Sequence, residues 1–152
     1  MLEVPKSMIG VSGKLFVNSM LLRQGIPCRL AGTGYDIEVM LTKPRRLWKM
    51  LVTTNLQPKK AGGKGKMALD WWVPIEHEAD HIACVDLSTL RIWLFRGQEY
   101  AKFAQQKAGG KYHLYMYTNR DVALRGPQSM KFDYEFESYI LENRIYRGVF
   151  DK

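Results

Sequence analysis

No aspartate or glutamate occurs between Met40 and Leu69 of this 152-residue chain. Cysteine is almost absent too: Cys28 and Cys84 have no metal-like spacing and lie in apolar segments, which excludes a disulfide framework. They are expected to be reduced core thiols of a cytoplasmic protein. No run approaches the roughly 18 apolar residues that cross a bilayer. Met1-Leu2-Glu3-Val4-Pro5-Lys6 lacks the basic, apolar and small-residue regions of a secretory leader. There is no Gly-x-Ser-x-Gly elbow and no nucleophilic cysteine–histidine arrangement. Gly62-Gly63-Lys64-Gly65-Lys66 fails the phosphate-loop pattern, although its glycines would let backbone approach a phosphodiester with lysines as mobile charges.

What is present is positive charge, and it is local. Lys and Arg total 23 against 15 Asp and Glu, a net charge of +8. The acid-free window holds Lys43, Arg45, Arg46, Lys49, Lys59, Lys60, Lys64 and Lys66. Those eight charges equal the net charge of the whole chain. Such a localised basic surface is the footprint expected for a phosphate-backbone partner. The hydrophobic fraction of 46% and charged fraction of 25% are ordinary for a globular protein. Residues 1–152 are expected to form one domain, long enough to bury a core without staples.

Apolar spacing predicts a helix from about Ser7 to Gln24, with Ile9, Leu15, Phe16, Met20 and Leu22 available for its buried face. Ser7 or Ser12 is the expected N-cap and Gly25 the left-handed cap. A short strand at Pro27–Leu30 and a turn at Ala31–Gly34 lead into a strand from Tyr35 to Leu41. There Ile37, Val39 and Leu41 share one face, and Asp36 and Glu38 the other. Lys43-Pro44-Arg45-Arg46 reads as a basic turn, Leu47–Thr54 as a strand, and Lys59–Lys66 as a flexible loop. Ala79–Asp86 and Leu90–Phe95 read as a hairpin. A helix over Gln98–Lys107, a strand over Tyr112–Tyr117 and a helical tail over Phe132–Tyr146 complete the expectation. The class is α/β, with helices packed on a sheet.

Gly34-Tyr35-Asp36, the strand ending Val52-Thr53-Thr54-Asn55, and the hairpin strands Ala79–Asp86 and Leu90–Phe95 follow the opening helix in a familiar order. In that order the chain resembles the PD-(D/E)XK nuclease superfamily, in particular small resolvase-like and homing-endonuclease-like members. The resemblance spans residues 6–106, with residues 110–152 as an extension. It implies a restriction-endonuclease-like fold with a central mixed sheet flanked by helices, a DNA partner and a homodimer. In this superfamily two acids hold Mg²⁺, which activates water, while a lysine supports the attack. Asp36 matches the first acid. Leu51 stands where the second acid belongs and Thr53 where the lysine belongs, and Gly13 and Lys14 occupy the position of a helix acid. Leucine cannot ligate a hard cation, and threonine carries no ammonium.

The resulting expectation is a DNA-binding protein with a nuclease-like fold that no longer cuts. Its contacts would come from Lys43, Arg45, Arg46, Lys59, Lys60, Lys64, Lys66 and Trp71, Trp71 as one of a Trp71-Trp72 pair of which one ring is buried and one exposed. Two alternatives stay open. An active Mg²⁺-dependent endonuclease would use Asp36 and Glu38 as metal ligands and Lys49 as the replacement ammonium. An interaction protein without a nucleic-acid partner would use the tyrosine-rich tail of Tyr112, Tyr115, Tyr117, Tyr134, Tyr139 and Tyr146. Glu76-His77-Glu78-Ala79-Asp80-His81 gathers possible transition-metal ligands, but reads more simply as the polar start of a strand.

Overall fold

The computed structural model describes residues 2–43, 45–61, 66–119 and 132–151. Its element order is α1 (Lys6–Arg23), β1 (Cys28–Leu30), β2 (Ile37–Thr42), β3 (Arg45–Asn55), β4 (Lys59–Lys60), β5 (Met67–Pro74), β6 (His81–Asp86), β7 (Arg91–Arg96), α2 (Gly97–Phe103), β8 (Gln106–Ala108), β9 (Lys111–Tyr117), a 3-10 helix (Asp133–Tyr139) and α3 (Leu141–Tyr146). One sheet runs β1-β2-β3-β6-β7 and a second runs β4-β5-β9-β8. All pairs are antiparallel except β3 with β6, which are parallel from Met50 opposite His81 to Asn55 opposite Asp86. The result is the expected α/β class, a central mixed sheet flanked by helices.

The first sheet is covered on both faces, and its central strands read accordingly. Alternate residues Ala83, Val85, Ile92 and Leu94 join a core with Val17, Leu21 and Met50, closed by Leu141, Val149 and Phe150. The intervening Ile82, Cys84, Trp93 and Phe95 join a second core with Leu69, Trp71, Tyr100, Leu114 and Phe136. Two-sided burial replaces the apolar–polar alternation of a half-exposed strand by a continuous apolar run. Both cysteines are buried and unbridged, as expected.

Helix α1 buries Gly13, Val17 and Leu21, four residues apart, while Leu15 and Leu22 are exposed. The expected apolar face was therefore rotated: Gly13 is the contact point, because a Cβ there would lie 1.8 Å from Thr54 Oγ1. No serine caps the helix; the Pro5 carbonyl accepts from Met8 and Ile9 instead. Gly25, at φ +79°, ends the helix as predicted, with Ile26 N–H reaching back to the Leu21 carbonyl.

Four other expectations are corrected. Arg45 and Arg46 belong to β3, opposite Thr42 and Leu41, instead of to a turn. Lys59 and Lys60 form β4 against Ala68 and Met67 instead of a loop; Gly62, Gly63, Lys64 and Gly65 lie outside the described residues. Helix α2 ends at Phe103, and Gln106–Ala108 pairs with β9. The tail helix breaks at Ile140, which bridges to Trp93 and so covers part of the β7 edge. In each case a backbone ladder or an exposed edge outcompeted local propensity.

The Asn55 side chain ties the two sheets together. Its Nδ2 donates to the Asp70 carbonyl at 2.6 Å and its Oδ1 accepts from the Asp70 N–H at 3.0 Å, continuing along β5 the pairing that the two-residue β4 begins. Replacing Asn55 with Ala strands both backbone groups of Asp70. A loss of order 2 kcal/mol is expected in denaturant unfolding, with Asn55→Asp unable to restore it because it lacks a donor.

His81 is fully buried between Trp48 (ring centroids 5.0 Å) and Phe150 (5.2 Å), and neither ring nitrogen has a hydrogen-bond partner. Burial pushes its pKa down from 6.5 to about 4. The unfolded chain thus binds the proton more tightly, so stability is complete above pH 6.5 and falls as pH drops towards 4. The lost stability reaches order 3 kcal/mol only once the folded state is protonated too, below about pH 4. His81→Phe is expected to flatten the acid limb of the thermal midpoint measured against pH.

Candidate functional site

The acid expected to lead the site is placed by the Gly34 turn. Gly34 takes φ +83°, and Asp36 follows it directly before β2, its N–H bonded to the Met50 carbonyl at 2.9 Å. One carboxylate oxygen of Asp36 accepts from the Val52 N–H at 2.7 Å, and the other lies 3.1 Å from Lys14 Nζ on α1. An ammonium ion therefore sits where a divalent cation would approach the first acid. Sequence order offered Lys14 only as the replacement of a helix acid; its ion pair with Asp36 depends on how α1 docks.

Glu38 is engaged separately. It accepts from Arg29 Nε at 2.6 Å and from the Tyr35 hydroxyl. The Tyr35 bond first, and then Arg29, hold its carboxyl below the usual glutamate range. Lys49 stands opposite Glu38 across the β2–β3 ladder. Its Nζ is 3.8 Å from Glu78 and 5.2 Å from the Tyr35 ring centroid. Asp36, Glu38 and Lys49 thus share one region of the sheet, but Lys14, Arg29 and Glu78 already neutralise each of them.

Leu51, at the position of the second acid, packs against the core shared with Leu69 and Trp71. Thr53, at the position of the lysine, lines an open groove of about 650 Å³ with Lys6, Gly10, Asn55, Lys59 and Trp72. Among the described residues no group of three or more His, Cys, Asp and Glu side chains gathers as a metal site. His77 Nδ1 instead accepts from the Ala79 N–H, and His81 is core. The donor set does not fit a resident Mg²⁺ ion, which needs oxygen ligands in octahedral array.

The basic residues divide into two groups. Lys43, Arg45 and Arg46 are exposed at one end of β3, with the Arg46 guanidinium 3.5 Å from the Trp48 ring centroid. Lys59, Lys60 and Lys66 are exposed past its other end, and Lys59 Nζ reaches 4.0 Å from Asp70. The intervening 11-residue strand spans roughly 35 Å at about 3.3 Å per residue. Trp71 is corrected outright: it is 1% exposed and its indole N–H donates to the Val85 carbonyl, so its ring is not available to a ligand. Trp72, the next residue on the opposite face, is 41% exposed. Alternation along Met67–Pro74 is the signal that separates the two.

The tail tyrosines divide likewise. Tyr139, half-buried, stacks on Phe95 at the edge of the core, while Tyr146 is presented to solvent. No helix among the described residues is long and apolar enough to cross a membrane.

This architecture is that of a nuclease-like fold. The chain is similar in structure to the bacterial homing endonuclease I-Ssp6803I, with a TM-score of 0.58 and 13% identity over 95% of this chain and 92% of that one. No protein-family model matches the chain, and no curated protein matches it in sequence.

With Lys14 held at Asp36, millimolar Mg²⁺ is expected to leave the thermal midpoint unchanged. A rise that vanishes in Asp36→Asn would mean that the divalent ion displaces the ammonium.

Proposed function

We propose that this protein binds DNA through a PD-(D/E)XK-type nuclease fold whose cleavage centre has been replaced by a structural ion pair. The observation that carries the reading is the 3.1 Å approach of Lys14 to Asp36, a fixed cation in place of an exchangeable one. Leu51 packed against the core and Thr53 without an ammonium support the same conclusion. The two basic groups support the DNA partner. They flank the 11-residue β3 at its two ends, where exposed ammonium and guanidinium groups can meet phosphates. The reading includes a homodimer on two-fold DNA as part of the proposal.

The active-nuclease reading rests on the proximity of Asp36, Glu38 and Lys49. It predicts Mg²⁺- or Mn²⁺-dependent cutting that is lost in Asp36→Ala. On the binding reading, labelled duplex is retained uncut at low salt. Charge reversal of Lys59, Lys60, Lys64 and Lys66 then lowers affinity and flattens its salt dependence by about 0.9 in log–log slope for each phosphate contact removed. Unchanged affinity and slope would overturn the proposed interface.

A further inference from the structure

The outer face of the second sheet has no counterpart in the ion-paired region around Asp36. Along β5 and β9, Leu69, Trp71, Val73, Leu114 and Met116 point into the core. The intervening Trp72, His113, Tyr115 and Tyr117 point the other way and form a ladder of rings. Trp72 and His113 stack at 4.0 Å with an 8° interplanar angle. Tyr115 follows at 5.6 Å from His113, tilted by 54°, and Tyr117 at 5.5 Å from Tyr115, edge-on at 70°. With Lys59, Lys60, Asp70 and Gln106 these rings line an open depression of about 380 Å³.

Trp72, 41% exposed, ends this row, and the other three rings are half-buried. The rings are also held ready. Gln106 Oε1 is 3.1 Å from His113 Nδ1, and the Gln105 side chain bonds both backbone groups of Tyr115. Burial lowers the pKa of His113, while Asp70, 3.3 Å from its Nε2, acts in the opposite direction. The rim adds the exposed ammonium groups of Lys59 and Lys60, and Asp70 and Gln106 supply polar atoms beside the rings.

We propose that this face is a stacking site for an unpaired nucleobase, with Lys59 and Lys60 holding the flanking phosphates. A flat aromatic base with a polar edge and an anionic backbone uses all three features: ring faces, hydrogen-bonding side chains and ammonium rim. An acidic peptide would use the lysines and leave the ladder idle, and a neutral aromatic molecule would do the reverse. Intact duplex hides its base faces, so it engages the lysines alone. The inference rests on the DNA-binding reading and narrows its substrate to nucleic acid that exposes unpaired bases, as single strands, bulges and branch points do.

The test titrates three labelled probes, a single strand, a blunt duplex and the same duplex with an unpaired bulge, into wild-type protein and three variants. Trp72→Ala is expected to weaken single-strand and bulge binding by roughly 5- to 100-fold and leave the blunt duplex unchanged. Trp72→Phe keeps a stacking ring and most of the affinity, guarding against a folding defect in the alanine variant. Lys59→Ala with Lys60→Ala weakens all three probes. Trp48, Trp71 and Trp93 are buried, so quenching of tryptophan emission by the single strand reports Trp72 and disappears in Trp72→Phe. Equal affinity for blunt and bulged duplex, or an unchanged single-strand affinity in Trp72→Ala, overturns the stacking site while DNA binding stands. Absence of binding to every probe at low salt overturns both.

Discussion

The fold turns on one side chain, the carboxamide of Asn55. It donates and accepts across the gap between β3 and β5, bonding the backbone of Asp70 twice. Those two bonds join the end of the first sheet's central strand to the second sheet, alongside the core of Ile82, Trp93 and Phe95 with Leu69 and Trp71. Beside that junction Lys59 Nζ lies 4.0 Å from Asp70, and Trp72 follows two residues on along β5. An amide does this where a carboxylate or hydroxyl cannot, because it presents a donor and an acceptor side by side.

Covering β3 on both faces also explains the state of the region around Asp36. On one side α1 comes close enough at Gly13 that the next residue, Lys14, delivers its ammonium to Asp36. On the other, the second sheet makes the neighbourhood of Leu51 apolar. A carboxylate at that position would lose hydration against Leu69 and Trp71 without a metal ion to repay it. Leucine and the Lys14–Asp36 pair are therefore consistent with each other: each removes an uncompensated charge that the other arrangement would create. The same packing frees the outer face of the second sheet, where a row of rings meets a cationic rim. Duties that a metal centre would concentrate at β3 are, on this reading, redistributed to a surface that grips and stacks.

The sequence by itself determined the chain's class, its charge and the order of the first helix and of β2, β3, β6, β7 and β9, whereas β4, β5 and β8 of the second sheet were not legible in it. Period-two and near-continuous apolar runs named β2, β3, β6, β7 and β9, Gly25 ended the first helix, and the acid-free window marked where cations would be exposed. These features are local, written in neighbouring residues. Substitution at Leu51 and Thr53 was equally legible, since a motif position can be read without coordinates. Tertiary structure alone decided what depends on distance: that Lys14 pairs with Asp36 and that Glu38 belongs to Arg29 and Tyr35. It also decided that Lys59 and Lys60 are a strand, that Trp72 and not Trp71 is exposed, and that β5 and β9 align four rings. Those outcomes hinge on which face of an element meets its neighbour, and a rotation of one residue reverses every side chain it carries.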